Sequence, residues 1–433
     1  MPDYLSRPHL RYIDTFPIQE KGETYFVIRD PLEISPSPLI VSPVEFYILN
    51  FFDGTRSIPD IQAEVQQRME GLEIPVDRIT KLIDILDTNY FLIGSRFEIH
   101  VQQIMDDYHR SPVRQAWHAG GSYPENPAEL NHKIDKFYAS PDGAGILNGT
   151  VNAGIPEHIS APENWQLQAI MVPHIDLRVG GECYTHAYKP LFESSAANAD
   201  LYIILGVAHY GGNGFFTTTT KDFQTPLGEV KTDKDFVTRW HENAGTNLSQ
   251  GDWAHRIEHS IEFQLPFLQH GLKKPFEIVP VLCGSVEPFI EGGKRLEDDA
   301  ELTGLIKSLK KTLAETDKRA VLVLSVDLAH MGPKFGDDFD INSEIAQEIQ
   351  EADYQMFNAL SRMDSDTFHD IMVKDLIPRK VDACGAAYTL LSLMDDGAGK
   401  MVSYDQNFQP DTNSLVSYGS MVFWGSGFGG KGS

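Results

Sequence analysis

The sequence between residues 201 and 210 reads Leu201-Tyr202-Ile203-Ile204-Leu205-Gly206-Val207-Ala208-His209-Tyr210. Its first seven residues are almost continuously apolar, which predicts a short buried β-strand. A histidine lies two residues after that strand. Active sites of α/β folds are built at the carboxyl ends of parallel strands, so His209 is a candidate site residue.

The same arrangement recurs along the chain. The apolar run 167–172 precedes Pro173-His174-Ile175-Asp176, and the run 320–326 ends at Asp327-Leu328-Ala329-His330. Two further segments place metal-competent or acid–base residues at tight turns: Glu258-His259-Ser260-Ile261-Glu262 and Asp382-Ala383-Cys384-Gly385. Two histidines and a third ligand delivered in this way indicate a mononuclear metal centre with open coordination positions.

The order of the elements predicts an α/β fold in two domains. Strand-like runs at 167–172, 201–207, 277–283, 320–326 and 414–424 alternate with helical patterns at 261–270, 302–314 and 341–360. This alternation is typical of a sheet with helices on its faces. Residues 1–95 predict a small α+β winged-helix unit with a strand at 24–28, helices at 44–52, 58–70 and 76–86, and a short wing strand at 90–93. Residues 96–112 predict a linking helix, and 113–425 form the second domain.

The charge and cysteine content exclude several classes of function. The formal net charge of −26 argues against a nucleic-acid partner and against an anionic membrane surface, because both need clustered basic residues. No run of about 18 apolar residues predicts a membrane span. Three cysteines without a paired spacing favour a reducing compartment. With no signal-peptide pattern at the N-terminus, we expect a cytoplasmic protein.

Six segments in order resemble the Memo family, the "protein B" of the Amme–Memo–radical-SAM gene group. The resemblance covers about 300 residues. In chain order the segments are Trp117-His118-Ala119-Gly120-Gly121-Ser122-Tyr123-Pro124, Pro173-His174-Ile175-Asp176, Gly206-Val207-Ala208-His209-Tyr210, Glu258-His259-Ser260-Ile261-Glu262-Phe263-Gln264-Leu265-Pro266-Phe267, Ser325-Val326-Asp327-Leu328-Ala329-His330 and Asp382-Ala383-Cys384-Gly385. Two positions depart from the family pattern: Asp176 adds a carboxylate beside the first histidine, and Ala208 replaces a hydroxyl residue.

The N-terminal region resembles a different family. Phe51-Phe52-Asp53-Gly54-Thr55-Arg56-Ser57-Ile58-Pro59-Asp60-Ile61 looks like the short signature of PqqD-like domains, which bind leader peptides. The alternative is a generic winged-helix interaction domain. The acidic residues of the helix 58–70 argue against DNA recognition by either.

The Memo resemblance implies a fold similar to the class III extradiol dioxygenases, with a mixed sheet flanked by helices. It implies a metal held by His174, His209 and Cys384. Two imidazoles and a soft thiolate favour iron or copper, with zinc as an alternative. It also implies that Asp327, His330 and His259 act in catalysis, with His330 as a general base and Asp327 orienting it. Substrate contacts are expected from Trp117, Tyr123 and Asp176.

Several of these residues also have purely structural interpretations. A cysteine such as Cys384 is usually a buried apolar residue, although a position at a helix start lowers a thiol pKa. Glu258 and Glu262 share one helix face, which fits capping and ion pairing as well as a site. Either Glu262 or Asp176 is the carboxylate ligand if the chain is a ring-cleaving dioxygenase. Glycine pairs such as Gly180-Gly181 predict turns.

Two functions follow from the resemblance. The first is redox or oxygen chemistry on a small molecule or a peptide side chain, linked to radical-SAM and AMMECR-type partner proteins. The second is a peptide-binding scaffold that keeps a degenerate dioxygenase pocket without catalysis.

Overall fold

The computed structural model describes residues 3–20, 22–69, 73–147 and 165–428. The chain divides into two units, Met1–Ser111 and Pro112–Ser433. Within the described ranges no helix has the length and apolar character that crossing a lipid bilayer requires.

The first unit combines a small antiparallel sheet with helices. Its strands lie in the order β1 (Asp14–Glu20), β2 (Glu23–Arg29) and β3 (Leu39–Val41). Its helices are α1 (Asp3–Ser6), α2 (Pro43–Leu49), α3 (Ile58–Arg68), α4 (Val76–Thr88) and α5 (Ser95–Arg110). Ser57 caps α3 in a capping box with Asp60, which satisfies free backbone N–H groups at the helix start.

The second unit is built on one mixed sheet. Its strands are β4 (Val113–Arg114), β5 (Gln166–Val172), β6 (Leu201–Val207), β7 (Phe216–Thr218), β8 (Asp222–Thr225), β9 (Gly228–Thr232), β10 (Glu277–Cys283), β11 (Ala320–Ser325), β12 (His330–Met331), β13 (Ala398–Gln409) and β14 (Ser414–Gly425). The spatial order is β12-β14-β5-β11-β6-β10-β9-β8-β4, with β13 on β14 and β7 on β10. At its centre β5, β11, β6 and β10 run parallel.

Helices cover both faces of this sheet. They are α6 (Pro127–Ala139), α7 (Leu177–Phe192), α8 (Lys234–Ala244), α9 (His259–Glu262), α10 (Gln264–Gly271), α11 (Glu287–Ile290), α12 (Ala300–Glu315), α13 (Ser343–Ser361), α14 (Ser365–Ile371) and α15 (Cys384–Leu393). Alternate residues of the central strands enter two separate apolar clusters: Ile203 and Leu205 join one, Tyr202 and Ile204 the other. Burial on both faces explains why these strands are apolar throughout.

The predicted α/β fold with a mixed sheet is confirmed, and three local predictions are wrong. Residues 90–93 form a single β-bridge from Leu92 to Leu10 instead of a wing strand. The predicted helix 261–270 is two helices that meet at Phe263. Gly180 and Gly181 lie inside α7 and not in a turn. A Cβ at Gly181 would stand 2.3 Å from Cζ of Phe137, so a glycine is needed there for close packing.

Candidate metal centre

Three histidines from separate segments meet at one edge of the central sheet. His174 lies two residues after β5, His209 lies two residues after β6, and His259 begins α9. Their ligand atoms all lie within 4.8 Å of one another. The ring centroids are 5.0 Å apart for His174 and His209, 5.0 Å for His174 and His259, and 4.7 Å for His209 and His259. Imidazole groups at this spacing form a set that one metal ion can bind.

The backbone and Asp327 fix the orientation of His174. Its Nδ1 lies 3.0 Å from the carbonyl oxygen of Ser325, so Nε2 is the ring atom left for a ligand. Oδ1 of Asp327 accepts hydrogen bonds from the backbone N–H groups of His174 (2.9 Å) and Ile175 (3.0 Å). The carboxylate thus holds the turn after β5 in place, in the way that outer-sphere groups orient metal ligands.

Glu258 fixes the orientation of the other two histidines, His209 and His259. Its Oε1 lies 3.0 Å from Nδ1 of His209 and 3.3 Å from Nδ1 of His259. The same carboxylate caps α9 by accepting from the N–H of Ser260, and Oε2 accepts from the N–H of His209. Because one buried carboxylate holds both Nδ1 atoms, the Nε2 atoms are free to face the centre.

Asp382 is a site residue that the sequence reasoning missed. Its Oδ2 lies 3.1 Å from Nε2 of His174 and 3.9 Å from Nε2 of His209. Both carboxylate oxygens are buried, and the contacts to the two imidazoles lack the geometry of a normal hydrogen bond. The signal was present in the segment Asp382-Ala383-Cys384-Gly385, but the family pattern directed attention to its cysteine.

The electrostatics of the cluster favour positive charge on two of its histidines, His174 and His209, whereas burial lowers the pKa of His259. Burial lowers the pKa of His174, but Asp327 and Asp382 outweigh burial and raise it to about 9. Burial opposes charge on His209 as well, yet Glu258 and Asp382 raise its pKa to about 10. Three carboxylates with little exposure around three imidazoles are stabilised by a cation, since buried negative charge is costly without one. The donor set and its charge therefore fit a metal ion.

The remaining catalytic and ligand predictions fall around this cluster. His330 begins β12, with Nδ1 3.0 Å from the carbonyl oxygen of Leu328. Cys384 is buried at the start of α15 and is not one of the three grouped metal-competent residues. Burial and the nearby Asp382 raise the pKa of its thiol, opposite to the lowering that its helix position predicts. The ligand role of Cys384 and the proton-transfer role of His330 stay predictions.

The structure gives the three predicted substrate residues other contacts. Trp117 stacks under the guanidinium of Arg256, 4.8 Å from its ring centroid. Tyr123 donates its hydroxyl hydrogen bond to Glu262. Asp176 caps α7 and pairs with Arg178 at 2.7 Å. Their roles in substrate binding stay predictions.

Glu262 has a structural role in the second unit. It is fully buried, pairs with the buried Arg114 and accepts from the backbone N–H groups of Trp117 and His118. Its carboxylate therefore anchors the segment before α6 to α9. Asp176 pairs with Arg178. Thus Glu262 and Asp176, the two carboxylates that a ring-cleaving dioxygenase would need as a ligand, both contact residues other than the three histidines.

Comparisons with known proteins agree on one family. A family model described as "Memo-like protein" matches residues 114–422. A MEMO1 family protein of Aquifex aeolicus is 30% identical over 421 residues, which cover 96% of this chain and 100% of the relative. MEMO1 family proteins of Methanopyrus kandleri (28% over 315 residues, 70% of this chain and 96% of the relative) and Thermus thermophilus (25% over 368 residues, 85% and 99%) are also similar.

Proposed function

The chain belongs to the Memo-like protein family, and we propose that it binds one transition-metal ion through His174, His209 and His259. The observation that carries this proposal is the grouping of three imidazole donors within 4.8 Å, surrounded by carboxylates. Iron or copper is the proposed metal, with zinc as the alternative, because imidazole donors suit all three.

We further propose redox or oxygen chemistry on a small molecule or a peptide side chain. A bound iron or copper ion would supply electron transfer and polarisation of a substrate oxygen. The protein would supply orientation and proton transfer. Nδ1 of His330 lies at hydrogen-bond distance from the Leu328 carbonyl, so Nε2 is the atom that exchanges a proton in this proposal.

The N-terminal unit is proposed to bind a peptide, as PqqD-like domains do. Its support is the capped α3 and the exposed Ile40 on strand β3, at the edge of the small sheet. An added peptide strand pairs with such an edge. Radical-SAM and AMMECR-type proteins are the proposed partners, and the cytoplasm is the proposed compartment, in keeping with three free buried cysteines.

Metal content tests the central proposal. The protein and its variants His174→Ala, His209→Ala and His259→Ala would be purified without oxygen and analysed for iron, copper and zinc. His241→Ala is the matched control, because His241 lies on α8 and contacts Thr218. We expect near-stoichiometric metal in the wild type and in the control, and its loss in the three site variants.

The scaffold alternative predicts a different result. A wild-type protein that holds no metal, even after incubation with Fe²⁺ or Cu²⁺, would overturn the metal proposal. The fold would then serve as a binding scaffold. Peptide binding by the full-length chain, measured with a fluorescent leader-like peptide, would remain the activity to pursue.

A further inference from the structure

Asp382 directs a buried carboxylate at the inward Nε2 atoms of two histidines of the cluster. In the part of the chain that the structure describes, its oxygens accept no hydrogen bond of normal geometry and lie against these imidazole rings. A buried carboxylate in this state is costly unless a cation lies against it. Its closest ion-pair contact joins Oδ2 to Nε2 of His174 at 3.1 Å, and Nε2 of His209 lies at 3.9 Å.

Those two Nε2 atoms are the ones that the outer contacts leave free. Nδ1 of His174 contacts the carbonyl oxygen of Ser325, and Nδ1 of His209 contacts the carboxylate of Glu258. The Asp382 carboxylate therefore faces the donor atoms on the side where a metal ion would bind. We propose that Asp382 is the anionic ligand of the metal centre, beside His174, His209 and His259. This inference rests on the proposed function.

The position of Cys384 supports the same assignment. Cys384 lines a cavity of about 240 Å³ together with Ala208, Cys283 and Asp382. Neither its thiol nor the Asp382 carboxylate belongs to the group of three histidines, whose ligand atoms all lie within 4.8 Å of one another. Oδ2 of Asp382 nevertheless lies 3.1 Å from Nε2 of His174, while Cys384 packs in an apolar cluster. Asp382 is thus shared by the centre and the cavity, whereas Cys384 belongs to the cavity. In this arrangement Cys384 lines a space for substrate next to the metal.

The assignment changes which metals fit. Three imidazoles and a carboxylate form a nitrogen and oxygen donor set, which suits Fe²⁺ and Zn²⁺. Cu⁺ prefers soft thiolate or thioether ligands, so it loses its advantage when Cys384 is not a ligand. Iron(II) and zinc are therefore the metals that this inference favours over copper(I).

Metal affinity of single variants tests the assignment. Metal-free wild type, Asp382→Asn and Cys384→Ser would be titrated with Co²⁺ and Fe²⁺ against a chromogenic chelator under argon. Asp353→Asn is the matched control, because Asp353 is a buried aspartate of α13 that contacts Tyr404. We expect Asp382→Asn to raise the Kd by more than ~100-fold, beyond the effect of an outer-sphere partner. Cys384→Ser and Asp353→Asn are expected to keep the wild-type Kd.

The spectrum of the cobalt-loaded wild type gives a second readout that needs no folded variant. A cysteine ligand produces a near-ultraviolet thiolate-to-cobalt charge-transfer band. We expect no such band. Such a band in the cobalt-loaded wild type, or wild-type affinity in Asp382→Asn, would overturn the assignment. If His209→Ala loses metal while Asp382→Asn keeps it, only Asp382 is misassigned; if His209→Ala also keeps metal, the proposed function fails with it.

Discussion

Glu258 offers the sharpest test of how the centre is organised. Glu258→Gln preserves the shape of the side chain and removes its charge. The native carboxylate contacts Nδ1 of two histidines, His209 at 3.0 Å and His259 at 3.3 Å, and accepts from the backbone N–H of Ser260 at 2.9 Å. A glutamine has one acceptor oxygen and one NH₂ group, so it can no longer accept from all of these donors.

The size of the effect follows from those contacts. Loss of one outer-sphere partner typically costs 10- to 100-fold in metal affinity. Because Glu258 orients two of the three histidines, we expect the upper end, roughly 100-fold, which is about 2.8 kcal/mol of binding free energy. The loss of charge-assisted hydrogen bonds also lowers the free energy of unfolding by about 1–3 kcal/mol.

The assay is competition for Co²⁺ between the protein and a chromogenic chelator, alongside thermal unfolding of the metal-free forms. Glu262→Gln is the control, since Glu262 lies on the same short helix and is just as buried. It pairs with Arg114 and not with the histidines, so its loss leaves a buried charge and costs about 3–5 kcal/mol of stability. Its metal affinity should stay at the wild-type level. Wild-type affinity in Glu258→Gln would refute the orienting role.

Two further variants probe the core around the site. Burial raises the pKa of Asp353 from 3.8 to about 6, so the folded state retains a proton that the unfolded state releases between these values, and stability falls as the pH rises through this window. Chemical denaturation at pH 4 and pH 7 should show Asp353→Asn gaining about 2 kcal/mol of unfolding free energy relative to wild type over that interval. Parallel pH profiles of the two proteins would contradict this. Gly181→Ala should lower the free energy of unfolding by about 1–3 kcal/mol, because the added methyl group overlaps the ring of Phe137. The melting temperature should fall while the metal affinity stays unchanged. An unchanged melting temperature would show that the ring moves aside.

The central strands were predictable because burial on both faces requires apolar side chains at consecutive positions. The runs 201–207 and 277–283 match β6 and β10 residue for residue. Local polarity says less about edge elements. Strand β13 is half-buried at most positions without a regular alternation and contains Gly399, Ser403 and Asn407, so its pairing with β14 decides its conformation. The turn predicted at Gly180 and Gly181 is wrong for a related reason, because the side chains that crowd these glycines come from other elements: Ile175 and Tyr418 at Gly180, and Phe137 of α6 at Gly181.

The site shows the same division between local and long-range information. The positions of His174 and His209 after predicted strands identified them as candidate site residues. His259 was identified through the segment Glu258-His259-Ser260-Ile261-Glu262. What no local pattern fixes is which residue of Asp382-Ala383-Cys384-Gly385 faces them. That choice depends on where α15 begins: Cys384 is its first residue and is buried among apolar side chains, while Asp382, two residues earlier, stays outside the helix. In the proposed centre, the start of α15 places an oxygen donor and not a sulfur donor beside the histidines, which changes the metals that fit. Under that proposal, the packing of α15 would set the choice of metal as much as the presence of a cysteine in the motif.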